Sequence, residues 1–485
     1  MAGSTLTSPR LRAVPERVYA RAGFALLCAG AFIGFLVYPT YPNYDSAYSL
    51  IWGRELVDGV LPSFDAYRAP TEHPLAVLVG AVLSLLGEGA APRAWLLLSV
   101  ASFCLLVAGV YRLGRAAFGP WVGAVAALLV LSRLDYAFLA ARGYIDVAYL
   151  ALVAWAAALE TETPRRGKPV WVLLTLAGLL RPEAWILLGL YWLWCRPTVR
   201  TTLIAAVAPV LWVLLDLAAT GDPLFSLNHT SSLANDLQRT RPASEAPSFA
   251  VHSLNGTLKW PILAGAVLGI ALAAAVARRR AGVLAVVTAS GLATFALIAA
   301  AGLSVIDRYL AITAIGLIVF AAFAIAGFTT LDRDSPVRTP WIAAAAVVAL
   351  GGAAFTATHL HPGYIDRELT TRRELRQELA RLVRTPAFRL AHRCGVVSVP
   401  NHKLIPDVRW ILHDDADQVR ARTDLPAFGQ RTPGVQVFVT GANMLTNTTY
   451  GPFVPGSRDD ARIQVPGPGL RQIARTPHFL AYAAC

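Results

Sequence analysis

The sequence predicts an α-helical polytopic membrane protein, with about 11 transmembrane helices and a small α/β extracytoplasmic C-terminal domain. Three observations predict it. Of 485 residues, 55% are hydrophobic and 15% charged, where soluble domains carry about 25% charged residues. Mean hydropathy is +0.51. Apolar stretches recur through the first 360 residues and mostly lack charge, as spanning helices must where the bilayer core offers no polar partners.

The first segment, 1–21, is basic (Arg10, Arg12, Arg17, Arg21) and precedes an apolar run without a small-residue cleavage site. It reads as a cytoplasmic N-terminus before a retained first helix. Spanning segments are expected near 22–40, 94–111, 119–132, 146–160, 169–180, 184–195, 201–218, 259–277, 282–303, 309–328 and 340–357, within a transmembrane domain over 22–358. The loops carrying Arg112 and Arg115, Arg165, Arg166 and Lys168, Arg196 and Arg200, Arg278 to Arg280, and Arg333 and Arg338 then share one side. The positive-inside bias makes that side cytoplasmic. The net charge of +13 therefore belongs to cytoplasmic loops facing the bilayer surface, not to a nucleic-acid surface. Residues 74–87 are apolar but shorter than the ~20 residues of a crossing. Counting them would break the alternation, so they are expected to form a re-entrant or juxtamembrane helix. This leaves a multi-pass cell-membrane protein with its N-terminus inside and residues 359–485 outside.

Most acids between the spans then fall at the outer face, including Asp45, Asp58, Asp65, Glu72, Asp135, Asp146, Glu183, Asp216, Asp222 and Asp307. No span carries a charge near its middle. A transporter would place ionisable groups at the midplane, whereas charge at one mouth suits chemistry at the membrane–water boundary. The outer loop over 220–258 is long enough to be functional. In the C-terminal region, a charged helix is expected over 365–385 and strands at 396–399 and 435–439. Cys394 and Cys485 lie there, either bridged in an oxidising compartment or as two free thiols. No Cys-x-x-Cys pair points to zinc or redox chemistry.

Asp45 stands in the first outer loop among Tyr41, Tyr44, Tyr48 and Trp52. It is either an incidental acid in an interfacial aromatic belt or a general base for an acceptor hydroxyl. Glu72-His73-Pro74-Leu75 opens the short helix and holds His73 at the outer surface, since proline suits a first helical turn. Asp146 starts a helix, where the dipole favours an acid. Facing Asp45, it could position an acceptor or share a divalent cation, though two acids do not make a metal site. Arg181-Pro182-Glu183 joins two short helices, and Asp307-Arg308-Tyr309 opens another. Their arginines either snorkel to the interface or grip a phosphate.

Together these residues resemble the GT-C superfamily of membrane glycosyltransferases, in the branch of protein O-mannosyltransferases and aminoarabinose transferases. The resemblance rests on Asp45, His73-Pro74-Leu75, Asp146, Arg181-Pro182-Glu183 and Arg308-Tyr309, and spans residues 20 to about 330. Asp45-Ser46 stands where many members have Asp-Glu, and His73-Pro74-Leu75 where many have His-Pro-Pro. The resemblance implies a GT-C-like fold and a hexosyl or pentosyl donor on polyprenyl phosphate, with no nucleotide-binding glycine loop. The acceptor would be an envelope glycan, lipid or protein. Asp45, Asp146 and His73 are the implied catalytic set. Arg181 and Arg308 would hold the donor phosphate, and Glu72, Glu183, Tyr309 and Tyr48 would position substrate. The rival expectations are a lipid-linked sugar flippase and a non-catalytic envelope-assembly protein.

Overall fold

The computed structural model describes residues 16–237, 239–303, 305–359, 362–424, 433–440, 466–467 and 469–485. The chain opens with α1 (Glu16–Val37), α2 (Tyr44–Val57), α3 (Pro74–Ser84), α4 (Gly87–Phe118), α5 (Pro120–Ser132), α6 (Leu134–Ala141) and α7 (Ile145–Glu162). It continues through α8 (Lys168–Leu180), α9 (Ala184–Trp194), α10 (Val199–Thr220), α11 (Phe225–Asp236), α12 (Ala246–Val276), α13 (Gly282–Ala300), α14 (Ala311–Ala326) and α15 (Arg338–His359). Among the described residues, seven helical segments are long and apolar enough to cross a membrane, or eight if the pair α5 and α6, bent by 61°, counts as one span. This makes the protein a multi-pass membrane protein. The expected count of eleven is not reached by length and composition, because α8 and α9 have only 13 and 11 residues and α7 is not among the seven. Residues 74–87 do yield a short helix, α3, of 11 residues.

The turn chemistry explains where the site helices begin. Asn43 caps α2 by accepting from the Ser46 backbone N–H at 3.1 Å, which sets Asp45 in the first turn, where the helix dipole favours a carboxylate. Pro74 occupies the first turn of α3 and leaves His73 extended before it. Helices α2 and α3 cross in direct backbone contact at Gly53 and Gly80, where a Cβ on either would overlap the other's backbone. That close crossing sets the spacing between Asp45 and His73.

The polar region follows as α16 (Pro362–Val383), α17 (Pro386–His392), β1 (Val396–Val399), α18 (Ile405–Leu412), β2 (Val419–Ala421), β3 (Gly434–Val439), β4 (Arg471–Arg475) and β5 (Phe479–Ala483). The charged helix and both strands expected there are present. The sheet order is β2-β1-β3-β5-β4. Strand β1 runs parallel to β2 and β3, while β5 is antiparallel to β3 and β4. Cys394 and Cys485 form a disulfide with their Cα atoms 6.1 Å apart, tying the segment after β5 to the one between α17 and β1.

This domain is clamped to the first loop of the membrane region. Arg409, fully buried, donates to Glu55 Oε1 at 2.6 Å and to Ser63 Oγ at 3.1 Å. Arg54 donates to the carbonyls of Trp410 and Arg409 at 3.0 and 3.1 Å. The apolar face of the domain shares one core with Tyr48, Trp52 and Phe64.

Candidate active site

Five charged side chains from four separate stretches meet in one chain of ion pairs. Arg308 Nη1 donates to Asp45 Oδ2 at 3.1 Å and lies 3.5 Å from Asp146 Oδ2. Arg181 donates to Asp146 Oδ1 at 2.6 Å and to Glu183 Oε1 at 3.3 Å. The order is Asp45–Arg308–Asp146–Arg181–Glu183, three carboxylates against two guanidiniums. Exposure separates its two ends. The Asp45 and Arg308 side chains are 21% and 29% exposed, whereas those of Asp146, Arg181 and Glu183 are 3%, 7% and 8% exposed. The Tyr309 ring lies beside Arg181, and the Tyr144 ring lies 5.3 Å from the Arg308 guanidinium carbon, within cation–π range.

Two cavities meet at Tyr144, which lines both. One is apolar, about 500 Å³, and runs between α3, α4, α7 and α8 past Leu75, Trp95, Ile145 and Leu180. The other is polar, about 180 Å³, and lies between Tyr41–Tyr44 and the C-terminal domain. Two of its lining residues, Ile145 and Leu180, are the chain neighbours of Asp146 and Arg181.

The remaining expected residues divide. His73 sits at the edge of the cluster, with its ring 5.8 Å from Trp212 and its Nδ1 buried without a hydrogen-bond partner. Burial, reinforced by the positive Arg181, pushes its pKa down to about 3. His73 is therefore neutral at pH 7 and offers a hydrogen-bonding ring rather than a cation. Glu72 does not join the cluster. It points into a second polar centre, where the Ser226 hydroxyl bonds Glu72 and, at 2.8 Å, Asp216, while Trp212 Nε1 donates to Ser226 at 2.7 Å. Tyr48 lies apart from the cluster as well. It is fully buried between Tyr44 and Trp52, with ring centroids 5.0 and 5.2 Å away. There it helps bind the C-terminal domain to α2 and lines neither cavity.

The second centre has a proton count of its own. A serine hydroxyl has one proton to donate, and here it faces two carboxyl groups. Burial, with Asp216 next, pushes Glu72 from 4.5 up to about 8, so the Glu72 carboxyl carries the second proton and donates to Ser226. A carboxyl raised on folding adds stability below its unfolded value and loses it as pH rises through the folded one. Melting temperature should therefore fall between pH 5 and pH 9. In Glu72→Gln, whose amide also donates, that slope should flatten. A variant with the wild-type slope would show that Glu72 does not hold this proton.

Sequence reasoning missed Arg239. It belongs to the outer loop expected to be functional. It is pinned by a hydrogen bond from Val305 N–H to its carbonyl at 3.0 Å, just before Arg308. Burial and the adjacent Arg308 hold its pKa below the ordinary arginine value. Also missed were the cationic residues that the C-terminal domain brings to the polar cavity. The length of the 220–258 loop and the Arg-rich face of the 365–385 helix were the only signals available. Among the described residues, no three His, Cys, Asp or Glu side chains converge as metal ligands.

Comparison with solved structures places this architecture. It is similar to ArnT from Cupriavidus metallidurans bound to undecaprenyl phosphate, with a TM-score of 0.59 over 97% of this chain and 98% of that one, at 14% identity. The apo state of the same ArnT gives a TM-score of 0.59 over 96% and 98%, at 13% identity. At such identity the likeness shows the fold, from the first helix into the C-terminal sheet. No protein-family model matches the chain, and no curated protein matches it.

Proposed function

We propose that the protein is a membrane glycosyltransferase. It moves a sugar from a polyprenyl phosphate to a hydroxyl of an envelope acceptor, at the extracytoplasmic face and with inversion. One observation carries this reading: Arg308, which holds Asp45 at the partly exposed end of the ion-pair chain, packs on Tyr144, the residue that lines both the apolar and the polar cavity. A lipid-linked donor needs such a junction, with its tail in the apolar space and its phosphate at the boundary. The ArnT neighbour, bound to undecaprenyl phosphate, supports a lipid phosphate of this class.

Asp45 takes the proton of the acceptor hydroxyl. The acceptor oxygen bonds to the anomeric carbon as the bond from that carbon to the phosphate oxygen breaks. The polyprenyl phosphate leaves with the electron pair, and Arg308 offsets its charge. Arg308 holds Asp45 at 3.1 Å. A donor phosphate drawing on that guanidinium frees the carboxylate for the acceptor, so donor binding readies the base. Asp146 and the buried Arg181–Glu183 pair position Arg308 from behind, and neutral His73 and Tyr309 complete the wall.

In this reading the chain crosses eleven times, with α5 and α6 as one bent span and α3 re-entrant, N-terminus inside and C-terminal domain outside. Helices α8 and α9 are then short crossings of about 20 and 16 Å at 1.5 Å per residue, which recess the site from the outer face. Arg308→Gln should weaken polyprenyl-phosphate binding at least tenfold, about 1.4 kcal/mol, while the protein still inserts and its melting temperature changes little. Unchanged affinity would remove Arg308 as the phosphate ligand.

A further inference from the structure

The second polar centre ties the outer loop to the site. Helix α11 is polar and buries only Ala234. Three of its side chains, Ser226, His229 and Thr230, share one face at helical spacing and dock on the stretch that leads into α3. Ser226 meets Glu72, His229 Nε2 donates to the Ala69 carbonyl at 2.9 Å, and the Thr230 and Thr71 hydroxyls lie 2.8 Å apart. Just past the helix, the Arg239 N–H donates to the Ala234 carbonyl at 2.8 Å, while the Arg239 carbonyl accepts from Val305. Arg239 is thus tied on one side to α11 and on the other to the segment before Arg308. Its charge acts on Arg308, Asp45, Tyr309 and Tyr144.

The hydrogen bonds at the dock count the protons. The Ser226 hydroxyl has one proton and two lone pairs. Trp212 Nε1 donates to it at 2.7 Å, which leaves one donated and one accepted bond for two acids. Asp216 also accepts the Ser226 backbone N–H at 3.0 Å, which makes it the carboxylate. Glu72, with its Oε2 buried and unbonded, is the protonated acid, since a charged oxygen left in that state costs more than a neutral one. The titratable groups around Glu72 are Asp216 of α10, His229 on the docking face of α11, and the neutral His73 next in the chain. No lysine or arginine pairs with Glu72 or Asp216 among the described residues. Loss of the Glu72 proton leaves two carboxylates against one hydroxyl proton in a closed site, a repulsion relieved only by separation or by water. With its pKa pushed up to about 8, above the unfolded value, the dock is closed below about pH 8 and opens above it.

We propose that Glu72, Ser226 and Asp216 form a proton latch on α11. With Glu72 protonated, the helix docks and holds Arg239 beside Arg308; loss of that proton releases both. The latch rests on the transferase reading only for its consequence at the donor site, since release itself is read without donor or turnover. The full chain in lipid nanodiscs is followed by hydrogen exchange at pH 6 and pH 10, corrected for the intrinsic rate. Amides of residues 225–237 should lose protection tenfold or more at the higher pH, while those of α7 keep theirs. In Glu72→Gln, whose amide donates to Ser226 without titrating, protection should persist at both. Asp216→Asn, which leaves one carboxylate for the one hydroxyl proton, should also stay docked at both. Wild-type polyprenyl-phosphate affinity should fall over the same range relative to Glu72→Gln. Equal protection of wild-type α11 at both pH values would overturn the latch, as would the wild-type loss in either variant. Release of α11 with donor affinity unchanged relative to Glu72→Gln would overturn its hold on the donor site. A pH-dependent release in a protein with no transfer activity would sink the transferase reading alone.

Discussion

Asp45→Asn should abolish sugar transfer while leaving the donor bound. The substitution keeps the size of the side chain and its place in the first turn of α2, so the α2–α3 crossing and the shared core with the C-terminal domain are undisturbed. What it removes is the lone pair that accepts the acceptor's proton. General-base catalysis contributes about 10² to 10⁴ in rate, and a loss of that size in kcat is the expected result. The donor side should move the other way. Arg308 is held by Asp45 at 3.1 Å, and a neutral amide holds it less tightly, so polyprenyl-phosphate affinity should stay level or rise. Radiolabelled transfer from a lipid-linked donor in membranes, with donor binding measured in parallel, reads both. Near-normal turnover would remove Asp45 as the base. Loss of donor binding together with transfer would make it a structural acid.

Arg181→Ala should have its largest effect on folding. The arginine is 6% exposed and lies between Asp146 and Glu183, themselves 2% and 9% exposed. Its removal leaves two carboxylates facing each other in a site sealed from water. Removing one partner of a buried ion pair costs about 3–5 kcal/mol. The expected result is a large drop in melting temperature with weakened donor binding as its consequence, because Asp146 no longer steadies Arg308. Arg308→Gln, at the exposed end of the same chain, should reverse that balance, with a small stability change and a large loss of phosphate affinity. If Arg181→Ala melted as wild type and lost only donor affinity, Arg181 would be a direct phosphate ligand, as the sequence had suggested.

The two arginines show where sequence reasoning stops. Arg181-Pro182-Glu183 and Arg308-Tyr309 look equivalent as strings, each an arginine at a helix junction. The structure buries one and leaves the other partly exposed, because Glu183 and Asp146 close around Arg181 whereas Arg308 stacks on Tyr144, which lines both cavities. Glu72 and His73 are adjacent in sequence yet serve separate centres, since His73 precedes α3 in extended backbone and consecutive residues there point to opposite sides. Tyr48 had the spacing of an aromatic belt and proved to be core, because the C-terminal domain covers it. The disulfide between Cys394 and Cys485 was one of two open readings until strand β5 brought Cys485 beside the end of α17.

By itself, the sequence determined that the chain is a helical membrane protein with its acids gathered at helix ends and a polar α/β region after them. Those properties follow from local composition: a bilayer forbids unpaired charge along a span, and proline, asparagine and the helix dipole decide where helices begin. Only the tertiary structure decided which charges meet. Asp45 and Arg308 are 263 residues apart, and neither carries any local mark of its partner. Their pairing, and the junction of an apolar with a cationic cavity beside it, depend on how α2, α3 and α7 pack and on where the C-terminal domain docks, which are sums of many distant contacts.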